Sequence, residues 1–189
     1  PPQFRLRRSR HYDGDFQLMS AIPLTNAQRI TALQLFAYTE REAAFLCIAA
    51  LHSGYFLRPQ YWDFIGQESG SAAASLLGKS QAKKHAIALP AFKQVKIYHL
   101  ASRPFFNAIG EADNRNRREH SVPSIKTRLM ALDFVLAHRN YQYLATEREK
   151  VDYFSGVLGI PDQMLPFKQY LSRKTSSKTT RYFVDKYPI

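Results

Sequence analysis

The sequence predicts an α+β fold, in which three short helices lead into a lysine-rich β-hairpin and a smaller mixed α/β part follows. Three observations carry that expectation. Helix start and stop signals recur at short intervals between residues 39 and 84. Two alternating stretches, 85–89 and 95–100, come next with a short connection between them. A polar run at 111–123 then separates these elements from a second set with its own periodicity.

Residues 1–23 carry Arg5, Arg7, Arg8 and Arg10 and then Asp13-Gly14-Asp15, and are expected as a basic N-terminal arm, either solvated or set against phosphates. Leu24–Tyr38 reads as a helix capped by Thr25 or Asn26. Thr39-Glu40-Arg41-Glu42 has the spacing of a capping box, where the threonine hydroxyl and the glutamate three residues on satisfy each other's amides. The apolar run Ala43, Phe45, Leu46, Ile48 and Ala49 follows it, and Ser53-Gly54 closes the helix. Pro59 suits the first turn of a second helix, Pro59–Ile65, which Gly66 stops. Ser69 or Ser71 is expected to cap a third, running through Ala73, Leu76 and Leu77 to Lys84, with Ser71, Ser75, Lys79, Ser80 and Lys83 facing outward. The strands His85–Leu89 and Val95–Leu100 are joined by Pro90-Ala91-Phe92-Lys93-Gln94, and Pro104–Ile109 reads as a further short helix stopped by Gly110. Residues 24–110 thus have the element order of a winged helix-turn-helix domain, whose third helix and hairpin are the parts presented to DNA.

Residues 111–123, with Asp113-Asn114-Arg115-Asn116-Arg117-Arg118 at their centre, are expected as a linker. Residues 124–189 form the mixed α/β C-terminal part. Ser124 caps an amphipathic helix with Ile125, Leu129, Leu132 and Leu136 on one stripe, ended by Asn140. Tyr141–Ala145 reads as a strand, and Thr146-Glu147-Arg148-Glu149 repeats the capping-box pattern before Val151, Phe154 and Leu158. Lys168–Arg181 is basic and rich in Ser and Thr, with no acid, and Arg181–Tyr187 alternates like a strand. The sheet of this part is expected to be incomplete at Ile189. The chain begins Pro-Pro without Met, which reads as a trimmed or processed fragment.

Charge points to the partner. The 189 residues carry a net charge of +12, with 45% hydrophobic and 13% aromatic content, so a folded core coexists with extended positive potential. Nucleic acid is the commonest partner of such a balance. No stretch of about 18 apolar residues exists to span a membrane. The single cysteine, Cys47, excludes an internal disulfide and a cysteine-based zinc cluster, and a cytoplasmic location is expected. From Lys79 to Arg103 there is no acid, and the cations there are Lys79, Lys83, Lys84, Lys93, Lys96 and Arg103. These six, with Ser71 and Ser75 as groove contacts, are the expected DNA-binding residues, on double-stranded DNA and with a homodimer as a further expectation.

The run from Glu42 to Gly110, with Gly54-Tyr55-Phe56 before the second helix and Ile97-Tyr98-His99-Leu100 after the hairpin loop, resembles bacterial winged helix-turn-helix proteins. That resemblance covers a little over a third of the chain. The whole chain is similar to the replication-relaxation type of plasmid and mobile-element protein, in which such a domain precedes an α/β part. The resemblance implies a DNA-associated role in replication, transfer or transcription control of a mobile element.

Other chemistries find less support. Gly78-Lys79-Ser80 lacks the first glycine of a phosphate loop, since Ala73 stands at that position, and it lies in an expected helix. His11, His52, His85, His99, His120 and His138 show no pairing at ligand spacing, Asp13-Gly14-Asp15 lacks the remaining ligands of a calcium loop, and no metal or cofactor is expected. A metal-dependent nuclease is the enzymatic alternative, drawing on Glu119, Asp133, Glu147, Glu149, Lys150, Asp185 and Lys186. Against it, Glu147, Glu149 and Lys150 are explained by a helix start. A non-enzymatic assembly or partner-binding protein with a basic surface is the other alternative.

Overall fold

The computed structural model describes residues 24–89, 95–171 and 178–184. The expected basic arm at 1–23, the hairpin loop with Lys93 and Gln94, and the pair Asp185-Lys186 lie outside the described residues. The fold is α+β, with helices packed on a three-stranded antiparallel sheet and a separate two-stranded one.

Helix α1 (Asn26–Gln34) and helix α2 (Glu40–His52) both start in complete capping boxes, on Thr25 with Gln28 and on Thr39 with Glu42. Nearly all of α2 is apolar and enclosed: Ala43, Phe45, Leu46, Cys47, Ala49, Ala50 and Leu51 are buried, so this helix is the centre of the core rather than an amphipathic cover. Strand β1 (Tyr55–Leu57) follows after Gly54, at φ 79°. The sequence reading has no strand here, because three residues are too few for a period to show. Helix α3 (Arg58–Ile65) takes Pro59 in its first turn, and the Gln60 carboxamide oxygen accepts the Leu57 amide at 2.8 Å in place of a capping hydroxyl. Gly66 ends it in the left-handed region, as expected.

Helix α4 (Ser71–Ala82) begins at Gly70, with no side chain bonded to its first amides, so neither Ser69 nor Ser71 is its cap. It ends two residues short of the expected limit because Lys84 adopts φ 56° and turns the chain into β2 (Ala86–Leu89). Strand β3 (Ile97–Leu100) lies between the other two, in the order β1-β3-β2, pairing Tyr55 with His99 on one side and Ala86 with Leu100 on the other. Both faces of this sheet are covered. Phe56, Tyr98 and Leu100 face the main core, while Tyr55, Leu57, Leu89 and Ile97 meet Ile125 and Leu129. Helix α5 (Arg103–Ala108) is capped by the Ser102 hydroxyl and buries Phe105 and Phe106.

The polar run at 111–123 is packed rather than loose. Asn116 is buried and donates to the Ala50 and Leu51 carbonyls at 2.9 and 2.7 Å, satisfying the open end of α2. Its side-chain oxygen accepts from Arg128 at 2.7 Å, and Arg128 also donates to the Ser53 carbonyl at 2.9 Å. A Cβ at Gly54 would come within 2.2 Å of the Asn116 carbonyl oxygen, so glycine is required both by φ and by space. Helix α6 (Val122–Ala137) starts with Pro123 in its first turn, two residues before the expected cap at Ser124, whose hydroxyl instead accepts from Arg128 at 3.4 Å. Its stripe Ile125, Leu129, Leu132 and Leu136 is buried as expected, and Leu132 and Leu136 enter the same core as α2 to α5.

Beyond α6 one expectation fails. Tyr141–Ala145 forms no strand: among the described residues no partner strand lies beside it, and the Ala145 and Thr146 amides donate to the Glu149 carboxylate at 2.8 and 3.1 Å. Helix α7 (Glu147–Val151) has the Thr146 capping box and continues as a π-helical turn, Asp152–Val157. Strands β4 (Phe167–Leu171) and β5 (Lys178–Tyr182) pair as an antiparallel ribbon, so the strand expected to begin at Arg181 is instead ending there.

Candidate nucleic-acid interface

The outward face of α4 is built from short side chains. Ala73, Leu76, Leu77 and Ser80 are buried against the core, which leaves Ser71, Ala74, Ser75, Gly78, Gln81 and Ala82 exposed. Ser80, expected to face outward, is fully enclosed and donates its hydroxyl to the Leu77 carbonyl at 3.0 Å. A helix with so little projecting from it lets another surface come close to its backbone.

Lys79 also departs from its expected place. Its ammonium group bends back to Glu42 on α2, 2.8 Å from Oε2, and that carboxylate is only 5% exposed. Glu42 simultaneously accepts the Thr39 amide at 2.8 Å. Lys79 is therefore the counter-charge that lets a capping glutamate sit in the interior. The same contact disposes of Gly78-Lys79-Ser80 as a phosphate loop, since the lysine and the serine are both engaged within the helix layer.

The remaining cations fall into two groups. Lys83 and Lys84 are exposed at the C-terminal end of α4, where their charge also complements the helix dipole. The turn beneath them is held by His85, whose amide donates to the Ser80 carbonyl at 2.8 Å and whose Nδ1 is hydrogen-bonded to the Tyr38 hydroxyl at 2.9 Å. Burial, and then the charge of Lys83, push the His85 ring below its ordinary pKa. Arg103 lies near the same end of the sheet, because the Ala101 amide donates to the His85 carbonyl at 3.2 Å. Its ion pair with Asp113, at 3.7 Å, joins two exposed groups and is worth little. Lys96 is exposed at the opposite, loop end of the hairpin, roughly 13 Å away along four strand residues.

Of the acids of the nuclease alternative, Asp133, Glu147 and Glu149 are each engaged in hydrogen bonds. Asp133 accepts the Gln60 side chain at 2.6 Å. Glu147 accepts the Tyr182 amide at 2.7 Å, and Glu149 accepts Arg29 at 2.9 Å. Lys150 is buried, and burial lowers its pKa. Among the described residues no three of His, Cys, Asp and Glu are grouped as a metal would need. Cys47 is enclosed in the core, its thiol pushed up to about 12 by burial, in keeping with a packing role.

A cavity of about 590 Å³ lies apart from this surface, between the end of α2, residues 110–116 and α7. Four carboxylates and four Lys or Arg side chains line it, so it favours neither sign of ligand. No helix among the described residues is long and apolar enough to cross a membrane.

Comparison with known proteins leaves these features to speak for themselves: no family model, no curated protein and no solved structure matches the chain.

Proposed function

We propose that residues 39–100 form a winged helix-turn-helix that docks on duplex DNA, with α4 as the recognition helix and β2–β3 as the wing. The observation that carries this reading is the order α2-β1-α3-α4-β2-β3 closed by the antiparallel sheet β1-β3-β2. In that arrangement the helix before the hairpin is the one offered to the major groove. The short face of α4 supports it, since Ser71, Ala74, Ser75 and Gly78 let the backbone approach the groove floor. Serine hydroxyls donate and accept toward any base edge, so Ser71 and Ser75 give modest sequence discrimination. Affinity comes from phosphates met by Lys83, Lys84 and Arg103 at one end and by Lys96 at the other. Lys79 is a positioning residue in this scheme, engaged with Glu42. The role implied by the sequence resemblance, in replication, transfer or transcription control of a mobile element, is the setting in which such docking would act.

A salt titration of duplex binding tests the reading. Removing a single lysine–phosphate interaction should reduce the slope of log K against log salt by about 0.9. Lys83→Ala/Lys84→Ala is expected to flatten it by about 1.8 on that scale, while Lys79→Ala leaves it unchanged. An unchanged slope in the double variant overturns the assignment of α4.

A further inference from the structure

The ribbon β4–β5 is exposed on both faces. Every residue of β4 is exposed, as is β5 from Lys178 to Arg181. Two strands alone are marginal in water, so this ribbon depends on its base. There Glu147 accepts the Tyr182 amide at 2.7 Å and pairs with Arg181 at 3.5 Å, the Phe183 amide donates to the Pro166 carbonyl at 2.9 Å, and Phe183 stacks on Phe154 at 5.1 Å.

Its composition is one-sided in charge. Neither Phe167–Leu171 nor residues 178–184 contain an acid, and the connecting residues add Arg173 and Lys174. Register sets Lys168 directly opposite Arg181 on one face, and Lys178 opposite Leu171 on the other. Like charges directly opposite across a ladder repel, and Glu147 offsets only the Arg181 member of the Lys168–Arg181 pair. Glu147 reaches Arg181 from the base, whereas Lys168 sits over the Tyr170 ring at 5.7 Å. Gln169 and Thr180, paired across the strands, place an amide and a hydroxyl on the same face as Lys178.

We propose that β4–β5 is a second DNA-contacting arm, binding the phosphates of a duplex through Lys168 and Lys178. A two-stranded ribbon is one of the two shapes that the major groove admits, and an exposed, acid-free surface is complementary in charge to phosphate. The choice of duplex DNA as occupant rests on the function proposed for α4, while the ribbon contact stands or falls on its own residues.

The experiment compares four full-length proteins on one duplex by salt titration: the parent, Lys83→Ala/Lys84→Ala, Lys168→Ala/Lys178→Ala, and all four substitutions together. Removal of both ribbon lysines is expected to flatten the slope by about 1.8, additively with the α4 pair. Lys168→Arg/Lys178→Arg should retain the parent slope, which separates charge from structure. Unchanged far-UV circular dichroism and thermal midpoint are expected, since both lysines are exposed. If the ribbon variant flattens the slope and the α4 variant does not, the ribbon is upheld and the recognition helix is not. A parent slope in the ribbon variant overturns the arm, and so does failure of the parent protein to bind duplex. Conversion of a dimer to a monomer by the ribbon variant, with the slope unaltered, also overturns it in favour of contact between copies.

Discussion

From Leu33 to Leu136 the buried positions are mainly apolar, and Phe45, Leu46, Phe56, Phe105 and Leu132 are fully enclosed. From His138 to Val184, by contrast, the buried positions among the described residues are Thr146, Lys150 and Leu165. The first region is held by area removed from water; the second meets it through the Arg29–Glu149 ion pair, the Arg139 bond to the Phe64 carbonyl, the Tyr143–His52 ring contact and Ala145 at the edge of the core. Glu149 accepts Arg29 of α1 and two amides of its own helix start, and Glu147 holds the ribbon by an amide and an arginine. Burial of area is spread over many residues and tolerates small changes, whereas the second region rests on a few polar and ring contacts. A region anchored in this way can open without the other.

The sharpest way to break the comparison is at Leu132, which stands in α6 beyond the polar run yet lies in the core of the first region. Leu132→Ala is expected to cost about 2–5 kcal/mol and to lower the unfolding midpoint of the whole region from α2 to α6. If denaturant unfolding of that variant splits, with the segment 39–100 keeping the parent midpoint, α6 belongs to a separate unit. A smaller effect is expected at Glu149. Glu149→Ala leaves the Arg29 guanidinium, 4% exposed, without its nearest counter-charge and should cost about 2 kcal/mol. Amide exchange should quicken from Thr146 through Tyr182 while α2 and β3 stay protected; uniform quickening would show that the two regions are one.

The smallest effect at neutral pH concerns His52, at the end of α2 beside Tyr143. Burial, together with the charges of Lys150 and Arg29, outweighs the pull of Glu149 and lowers its pKa from 6.5 to about 4. The unfolded chain therefore takes up a proton first as pH falls. Stability from this source is complete above pH 6.5, declines between 6.5 and about 4, and changes no further below that. Thermal melts of parent and His52→Gln should nearly agree at pH 7 and diverge through that window, the variant losing less. Parallel curves would mean that His52 is as well solvated in the folded protein as in the unfolded chain. His85 and His99 are lowered by burial too, so the variant keeps part of the acid sensitivity.

Helix starts were the most legible features. Thr39 and Thr146 cap as their spacing predicts, Thr25 caps as one of the two residues expected there, Gly66 ends α3, and the stripe Ile125, Leu129, Leu132 and Leu136 is buried. Strand assignments were poorer at both ends of the chain. β1 is too short to show alternation, and Tyr141–Ala145 has the composition of a strand without a neighbour to pair with. Of the expected interface, Ser71, Ser75, Lys83, Lys84, Lys96 and Arg103 are exposed, Lys93 lies outside the described residues, and Lys79 is turned to Glu42. The contacts Asn116–Arg128 and Arg29–Glu149 had no signal at all, because a polar residue destined for the interior looks the same in sequence as one destined for water.

What the sequence by itself determined is local: the capping boxes at Thr39 and Thr146, which stripes are apolar, and the strongly positive charge balance. These follow from hydrogen bonds and periods spanning three or four residues, which any window of the chain contains. Only the tertiary structure decided which charges remain available. Lys79 and Glu42 are 37 positions apart, and Arg29 and Glu149 are 120 apart. Whether such groups meet depends on how the core brings their helices together, since a buried charge must find a partner and an exposed one need not.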